Sequence, residues 1–265
     1  MGLKILFVAD IIGRPGRRAA AEWIPRLREK YEVGLCIANG ENVAGGLGIT
    51  ENIGKKLHRY GIDVITSGNH IWDKRDEMGY IERATHLLRP ANYPPGVIGI
   101  GSGVFPAKDG TLVGVLNLQG RTFLKEIDCP FRVAKEQIAA LGTRIIVVDF
   151  HAEATSEKVA MGWYLDGLVS AVIGTHTHVQ TCDERVLPGG TAYITDAGMT
   201  GPHDSVIGME KERAIRHFLT KLPVRFDPAK GDVKLCGVLL DVDEETGKAR
   251  RIERVKVDFE EKVNG

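Results

Sequence analysis

The sequence predicts an α/β fold in which helices flank two stacked β-sheets, and three observations support this prediction. Short apolar runs alternate with longer amphipathic segments, which is typical of layered α/β domains. Several of these runs are nearly continuous Val, Ile and Leu, as in strands that are buried on both faces. Strand-like segments without helices follow Val233, and a turn at 244–247 joins them. We expect residues 1–265 to form a single domain, with these antiparallel strands closing a second sheet.

Each element follows from its pattern, taken in chain order. The apolar runs predict strands at 5–9, 35–38, 64–66, 113–118, 145–150, 171–173, 191–195 and 233–240. The amphipathic segments predict helices at 17–29, 51–59, 132–141, 157–165 and 211–219. Thr50 and Ser156 are the predicted N-caps of two helices, since each precedes a glutamate that suits a helix N-terminus. The Pro- and Gly-rich stretch at 90–110 predicts a loop with an edge strand.

The composition limits the classes of function. The 265 residues are 43% hydrophobic and 26% charged, and 35 basic residues balance 35 acidic ones. A zero net charge argues against an extended nucleic-acid surface, although a local site can still bind a small nucleotide. The four cysteines lack the spacing of a zinc ribbon or a redox dithiol, and no apolar segment approaches the about 20 residues of a membrane span. Without a signal-peptide pattern, we expect a cytoplasmic protein with no membrane partner.

The most informative segment is 171–179, where an apolar run ends in two histidines spaced by one residue, His176 and His178. If the backbone is extended there, both rings face the same side of the strand. Polar residues also follow four other predicted strands, and the carboxyl ends of strands in an α/β sheet open onto one crevice. These residues are Asp10, Asn39, Glu41, Asn42, Asn69, His70 and His151. The five strand ends together offer carboxylate, amide and imidazole ligands for a metal.

Each residue also has an ordinary structural explanation. Asp10 after a first strand is often a helix cap, and Asn39 before Gly40 often serves a left-handed turn. A strand-end histidine such as His151 is usually a hydrogen-bonded structural residue, and a His-x-His pair can be incidental. The coincidence of all five strand ends favours a metal centre over these separate explanations.

Counted as ligands, the set serves two ions. One ion could take Asp10, Glu41, Asn42 and His178, and a second could take Asn69, His151 and His176, with Glu41 bridging. Nitrogen and oxygen donors without thiolate suit Fe, Mn, Zn or Co. Two metals about 3.5–4 Å apart generate a hydroxide and stabilise an in-line displacement at phosphorus. His70 is then a surplus imidazole, and its expected role is to protonate the leaving alkoxide.

Other hydrolase patterns do not fit the chain. The His-x-His pair comes too late for an amidohydrolase barrel, and residues 179–181 lack the Asp-His continuation of the metallo-β-lactamase type. The glycine-rich run at 45–48 lacks the lysine of a phosphate-binding loop, and no Gly-x-Ser-x-Gly elbow occurs. The strand-end constellation is therefore the main indication of chemistry in this sequence.

In order, the strand-end motifs resemble those of the calcineurin-like metallophosphoesterase superfamily. They are Asp10, Asn39-Gly-Glu-Asn42, Gly68-Asn-His70, His151 and Gly174-Thr-His-Thr-His178, and the likeness runs to about Gly208. The usual Asp-x-His of the first motif is absent, because Ile11 and Ile12 follow Asp10, and Glu41 stands where an aspartate is usual. Both departures, together with residues 149–158 and 195–204, are similar to the YmdB-type subfamily.

The resemblance implies a four-layer α/β/β/α sandwich with the two-ion ligand set given above, in which Asn42 replaces the missing first-motif ligand. It implies iron, with activity on manganese; zinc is an alternative. It also implies hydrolysis of 2′,3′-cyclic nucleotides to the 3′-phosphate, with His70 as proton donor. Two other hypotheses stay open: a regulatory metal- or nucleotide-binding protein with weak catalysis, and a phosphomonoesterase of the same superfamily. We expect a homo-oligomer, and Arg121 and His203 are candidate substrate contacts.

Overall fold

Two β-sheets stacked face to face form the centre of the computed structural model, which describes residues 2–260. The strands are β1 (Gly2–Val8), β2 (Asp10–Ile11), β3 (Leu35–Asn39), β4 (Val64–Thr66), β5 (Ser102–Pro106), β6 (Leu112–Gln119), β7 (Ile145–His151), β8 (Ala171–Thr175), β9 (Arg185–Val186), β10 (Ala192–Ile194), β11 (Met199–Pro202), β12 (Val233–Asp243) and β13 (Ala249–Asp258). The first sheet has the order β2-β11-β12-β1-β3-β4, with β13 paired to β12, and the second has the order β5-β6-β7-β8-β10-β9.

The helices lie outside the two sheets. Within residues 2–260 they are α1 (Gly13–Lys30), α2 (Glu51–Arg59), α3 (Met78–Arg83), α4 (Pro130–Leu141), α5 (Thr155–Tyr164) and α6 (Lys211–Thr220). Ile24 of α1 and Leu57 of α2 belong to the core of the first sheet, and Met161 of α5 to that of the second. A third cluster, which includes Phe7 and Val147, fills the space between the sheets. These layers confirm the predicted α/β/β/α sandwich.

Most of the predicted elements are present, and one predicted cap is wrong. Thr50 caps α2, because its Oγ1 accepts the Ile53 N–H at 3.4 Å. Ser156 does not cap α5, since the helix already begins at Thr155 and its N-cap is Ala154, which has an extended backbone at φ −78° and ψ 124°. The edge strand predicted within 90–110 is β5, which pairs antiparallel with β6.

The C-terminal strands form the predicted antiparallel hairpin, but they belong to the first sheet and do not close the second. β12 pairs with β1 from Gly2↔Asp243 to Val8↔Gly237 and separates β1 from β11. Eight of the 11 residues of β12 are buried, as expected of a strand covered on both faces, and this suits a central place in the sheet. The assignment of residues 1–265 to one domain stays a prediction, since it extends past the described residues.

No helix within residues 2–260 is both long enough and apolar enough to cross a lipid bilayer. The longest, α1, carries eight charged side chains among its 18 residues, at positions 14, 17, 18, 22, 26, 28, 29 and 30.

His86 gives the fold a testable pH dependence. Its Nε2 lies 3.2 Å from the Tyr80 hydroxyl, and its ring packs against His58 at a centroid distance of 3.9 Å. Burial, together with the charge of His58, lowers the pKa of His86 to about 4. The unfolded chain takes up this proton near pH 6.5. We therefore expect the contribution of neutral His86 to folding stability to be complete above about pH 6.5 and lost as the pH falls toward 4.

Urea unfolding at about pH 7.5 and about pH 5 measures this effect. The variant His86→Gln does not titrate and keeps an oxygen that can accept from Tyr80. We expect it to lose less unfolding free energy between the two pH values than the wild-type protein does. Equal losses in the two proteins would show that His86 is not the group responsible.

Candidate metal centre

The candidate site lies where strands of both sheets end. β1, β3 and β4 are parallel in the first sheet, and β6, β7 and β8 are parallel in the second, so the carboxyl ends within each set share one edge. The predicted residues are distributed over these ends: Asp10 opens β2, Glu41 and Asn42 follow β3, Asn69 and His70 follow β4, His151 ends β7, and His176 and His178 follow β8. Asp10, Glu41 and His151 are completely buried.

A chain of hydrogen bonds fixes the orientation of His151. Thr175 Oγ1 donates its one proton to Asp149 Oδ1 at 2.7 Å, so it accepts the Nδ1–H of His151 at 3.0 Å. Asp149 also accepts from Asn39 Nδ2 at 2.9 Å, and burial raises the pKa of Asp149 to about 6. The bond at Nδ1 leaves Nε2 pointing at Glu41. A ring oriented through one nitrogen, with the other facing inward, is the usual arrangement of a metal-binding histidine.

His176 presents a second ring nitrogen to the same point. Its Nε2 lies 3.0 Å from Glu153 Oε2, and its Nδ1 lies 3.0 Å from His151 Nε2. One ligand atom from each of Glu41, His151 and His176 lies within 4.8 Å of the others. Two imidazole lone pairs in this arrangement repel each other unless a proton or a cation lies between them.

The pKa values show where that proton resides. Burial opposes charge on His151, but Glu41 overcomes it and raises the pKa of His151 to about 9. Burial and the charge of His151 lower the pKa of His176 to about 3. A metal ion bound by these nitrogens would replace the proton on His151, since imidazole ligates in its neutral form.

His178 faces a second group of ligands. Its Nδ1 donates to the Ile207 carbonyl at 2.9 Å, which leaves Nε2 3.7 Å from Asp10 Oδ1 and 3.4 Å from the amide nitrogen of Asn42. Burial raises the pKa of Asp10, but contacts with His178 and His151 outweigh it and hold the value at about 2. Asp10 is therefore an ionised carboxylate beside an inward-facing imidazole nitrogen.

The two histidines reach the site in a way that the sequence reasoning did not anticipate. The condition of an extended backbone is not met, because β8 ends at Thr175 and the φ angles of His176 and His178 are 94° and 64°. Such angles are uncommon for residues other than glycine. They turn the rings apart, one toward His151 and the other toward Asp10. The pair thus spans two ligand groups, which supports their proposed division between two ions.

The site also contains buried oxygens that accept no hydrogen bond within residues 2–260, namely Asp10 Oδ1, Glu41 Oε2 and Asn69 Oδ1. Glu41 Oε2 faces His151 Nε2 as an ion pair, and Asp10 Oδ1 lies 3.7 Å from His178 Nε2. A buried acceptor left without any partner costs about 1–3 kcal/mol. Cations would satisfy all three, and the oxygen and nitrogen donors fit Fe, Mn, Zn or Co. Gly68 keeps this space free, since a Cβ there would collide with the His151 ring and the Glu41 carboxylate.

His70 lies beside the ligands in a more open position. Its backbone N–H donates to Glu41 Oε1 at 2.6 Å, and its Nδ1 lies 2.7 Å from Asp73 Oδ2. The side chain is 34% exposed and lines a cleft of about 310 Å³ together with Leu47 and His176. His70 is therefore oriented by a carboxylate and can be reached from solvent, as a proton donor to substrate must be.

Two candidates do not reach this cleft. The backbone of Arg121 donates to Glu157 Oε1 at 3.0 Å, and His203 contacts the Gly201 carbonyl and Cys236 Sγ. Neither side chain is among the described residues that line the cleft. The expectation of substrate contact at Arg121 and His203 thus gains no support from the structure.

The sequence reasoning missed the residues that orient the ligands. Glu153 and Thr175 are two of them. Both lie close to predicted ligands in the chain, and this closeness could have indicated their role. Ile207 acts through its backbone carbonyl, so its residue type carried no signal. Its φ of 46° is unusual for a β-branched residue and belongs to the strained backbone of the site.

Comparison with known proteins decides the family. A family model described as YmdB-like protein matches residues 6–255. The chain belongs to the YmdB-like protein family. One YmdB-like relative is the 2′,3′-cyclic-nucleotide 2′-phosphodiesterase of Bacillus subtilis (strain 168), which is 52% identical over 257 residues, or 96% of this chain and 97% of that protein.

Two solved structures are similar in fold to this YmdB-like chain over nearly its full length. A hypothetical protein from Thermus thermophilus is 39% identical with a TM-score of 0.91, and the match covers 97% of this chain and 99% of the other. A protein described as a novel phosphatase from Mycoplasma pneumoniae is 35% identical with a TM-score of 0.92, over 97% and 94% of the two chains. The YmdB-type resemblance read from the motifs is confirmed.

Proposed function

We propose that this YmdB-like protein is a metal-dependent phosphodiesterase that hydrolyses 2′,3′-cyclic nucleotides to 3′-nucleotides. The observation that carries the proposal is the convergence of His151 Nε2, His176 Nδ1 and Glu41 Oε2 beside the accessible His70. The Bacillus relative, named for this activity, supports the choice of substrate. A cytoplasmic, homo-oligomeric form of the enzyme stays a prediction.

The proposed centre holds two ions, with iron as the assigned metal and manganese or zinc as alternatives. One ion would be held by Asp10, Glu41, Asn42 and His178, and the other by Glu41, Asn69, His151 and His176. When bound, the cations supply Lewis acidity that stabilises negative charge developing on the phosphate oxygens. The protein contributes fixed ligand orientations, through Thr175 at His151, Glu153 at His176 and the Ile207 carbonyl at His178.

His70 is the proposed general acid. Hydrolysis to the 3′-nucleotide breaks the bond between phosphorus and O2′, and the departing O2′ needs a proton. Asp73 Oδ2 lies 2.7 Å from Nδ1 of His70 and orients the ring, which leaves Nε2 to deliver that proton. The Glu41 carboxylate accepts the backbone N–H of His70 at 2.6 Å and so ties the acid to the ligand set.

The test incubates Mn²⁺-loaded protein with 2′,3′-cyclic AMP and identifies the product by ³¹P NMR. We expect 3′-AMP as the product, and faster hydrolysis of bis-p-nitrophenyl phosphate than of p-nitrophenyl phosphate. Formation of 2′-AMP, or faster hydrolysis of the monoester, would contradict the proposed specificity. Nucleotide binding without hydrolysis would instead favour the regulatory hypothesis.

A further inference from the structure

A buried ion pair lies beneath the segment that carries His176 and His178. Lys158 of α5 and Asp196 are 1% and 0% exposed, and Lys158 Nζ lies 2.7 Å from Asp196 Oδ2. Gly174 of β8 passes close to this pair, since a Cβ there would collide with the Thr195 carbonyl and lie 3.1 Å from Lys158 Cδ. Burying two charges carries a desolvation penalty of several kcal/mol per ion, and apolar replacements of such pairs are often as stable. Stabilisation of the fold is thus a weak explanation for the burial of this ion pair.

Asp196 connects the pair to Thr177. Its Oδ2 accepts the backbone N–H of Thr177 at 3.1 Å and the Oγ1–H at 2.6 Å, and its Oδ1 accepts the Gly198 N–H at 2.8 Å. Lys158 Nζ also lies 3.4 Å from Thr177 Oγ1. Because protein donors occupy both oxygens of Asp196, this carboxylate acts on the loop and is not itself free to bind an ion.

Thr177 lies between His176 and His178, whose backbone φ angles are both positive. A non-glycine residue in this region of φ costs on the order of 1–3 kcal/mol, and it persists only where the surroundings hold it. Glu153 and the Ile207 carbonyl fix the rotation of the two rings, but they do not contact the backbone between them. The contacts of Asp196 with Thr177 are what hold that backbone at its midpoint.

We propose that Lys158, Asp196 and Thr177 form a positioning clamp that sets the affinity of the centre for both of its ions. The proposal rests on the metal site of the proposed function. Since Thr177 lies between a ligand of one ion and a ligand of the other, loosening the clamp displaces both histidines together. Removing His176 or His178 alone affects one ion far more than the other, so the two kinds of change have different signatures.

The test titrates Mn²⁺ into metal-stripped protein and follows binding by calorimetry. Thr177→Val removes the hydroxyl at nearly constant volume, and Thr177→Ser is the matched control that keeps it. We expect Thr177→Val to bind both ions about 10–100-fold more weakly without a change in the number bound at saturation, as is typical when an outer-shell partner is lost. Thr177→Ser should bind as the wild type does, while His176→Ala should lose one ion.

Asp196→Asn provides a second variant, and we expect the same weakening of both ions. The melting temperatures of the metal-stripped variants show whether each is folded before metal is added. Wild-type affinity in folded Thr177→Val, or equal weakening in Thr177→Ser, would overturn the clamp and leave the proposed function intact. Failure of the wild-type protein to bind Mn²⁺ would overturn the metal-dependent function and the clamp together.

Discussion

Glu41→Ala is expected to lower kcat/KM for 2′,3′-cyclic AMP by about 10³-fold or more. Glu41 Oε2 lies against His151 Nε2, and Glu41 Oε1 accepts the backbone N–H of His70. The substitution removes the proposed bridge between the ions and releases the loop that carries the acid. Metal ions contribute several kcal/mol of transition-state stabilisation, and each 1.36 kcal/mol is about tenfold in rate.

The matched control is Glu184→Ala. Glu184 is a partly buried carboxylate that binds Arg254 at 2.8 Å and is not among the described residues that line the cleft. Its loss should leave turnover and metal content within about twofold of wild type, as for other substitutions away from functional features. Elemental analysis beside the kinetics completes the test: full turnover of Glu41→Ala with two ions bound would exclude the bridging role.

His70→Ala is expected to lower kcat by about 10²–10⁴-fold while the metal content stays unchanged. His70 is proposed to donate a proton and not to bind metal, so the two measurements separate its role from that of a ligand. The choice of substrate sharpens the test. The ribose O2′ needs protonation as it departs, whereas p-nitrophenolate leaves readily without it. The loss on bis-p-nitrophenyl phosphate should therefore be smaller than the loss on 2′,3′-cyclic AMP.

Asp73→Asn is a milder variant that tests the same role of His70. Its amide keeps the size of Asp73 but removes the charge that faces His70 Nδ1 at 2.7 Å. We expect an intermediate loss of kcat. Equal losses on the two substrates in His70→Ala would contradict the acid role and favour a part in substrate binding.

The sequence patterns predicted the main strands and helices because their signals are local. Val64–Thr66 and Glu51–Arg59 have the predicted bounds, since each is a short periodic segment with clear ends. β11 carries Gly201 and Pro202 and lacks the pattern of a strand. It forms only because β2 and β12, distant in the chain, lie on either side of it. The placement of β12 in the first sheet was missed for the same reason, since a strand's partners are not encoded in its own periodicity.

The residue types of the candidate ligands could be predicted from the ends of the strands, but the geometry of the site could not. A parallel sheet gathers the ends of its strands whatever follows them, so Glu41 and His151 could be placed together from the sequence. The left-handed backbone at His176 and His178 depends on contacts with residues far along the chain, among them Asp196 at Thr177 and Asp10 at the His176 N–H. The ligand role of each predicted residue stays a prediction until metal binding is measured.

The central position of β12 has a consequence for the biosynthesis of the protein. β1 is synthesised long before its antiparallel neighbour, Val233–Asp243, so Gly2 cannot pair until Asp243 has been made. Pairing over such a separation is slow, and until it occurs β1 has an unpaired edge that favours aggregation. Every proposed ligand precedes Val179, but Asp10 lies on a strand that pairs with β11, next to β12. A nascent chain can therefore carry the complete ligand set well before it can assemble the centre.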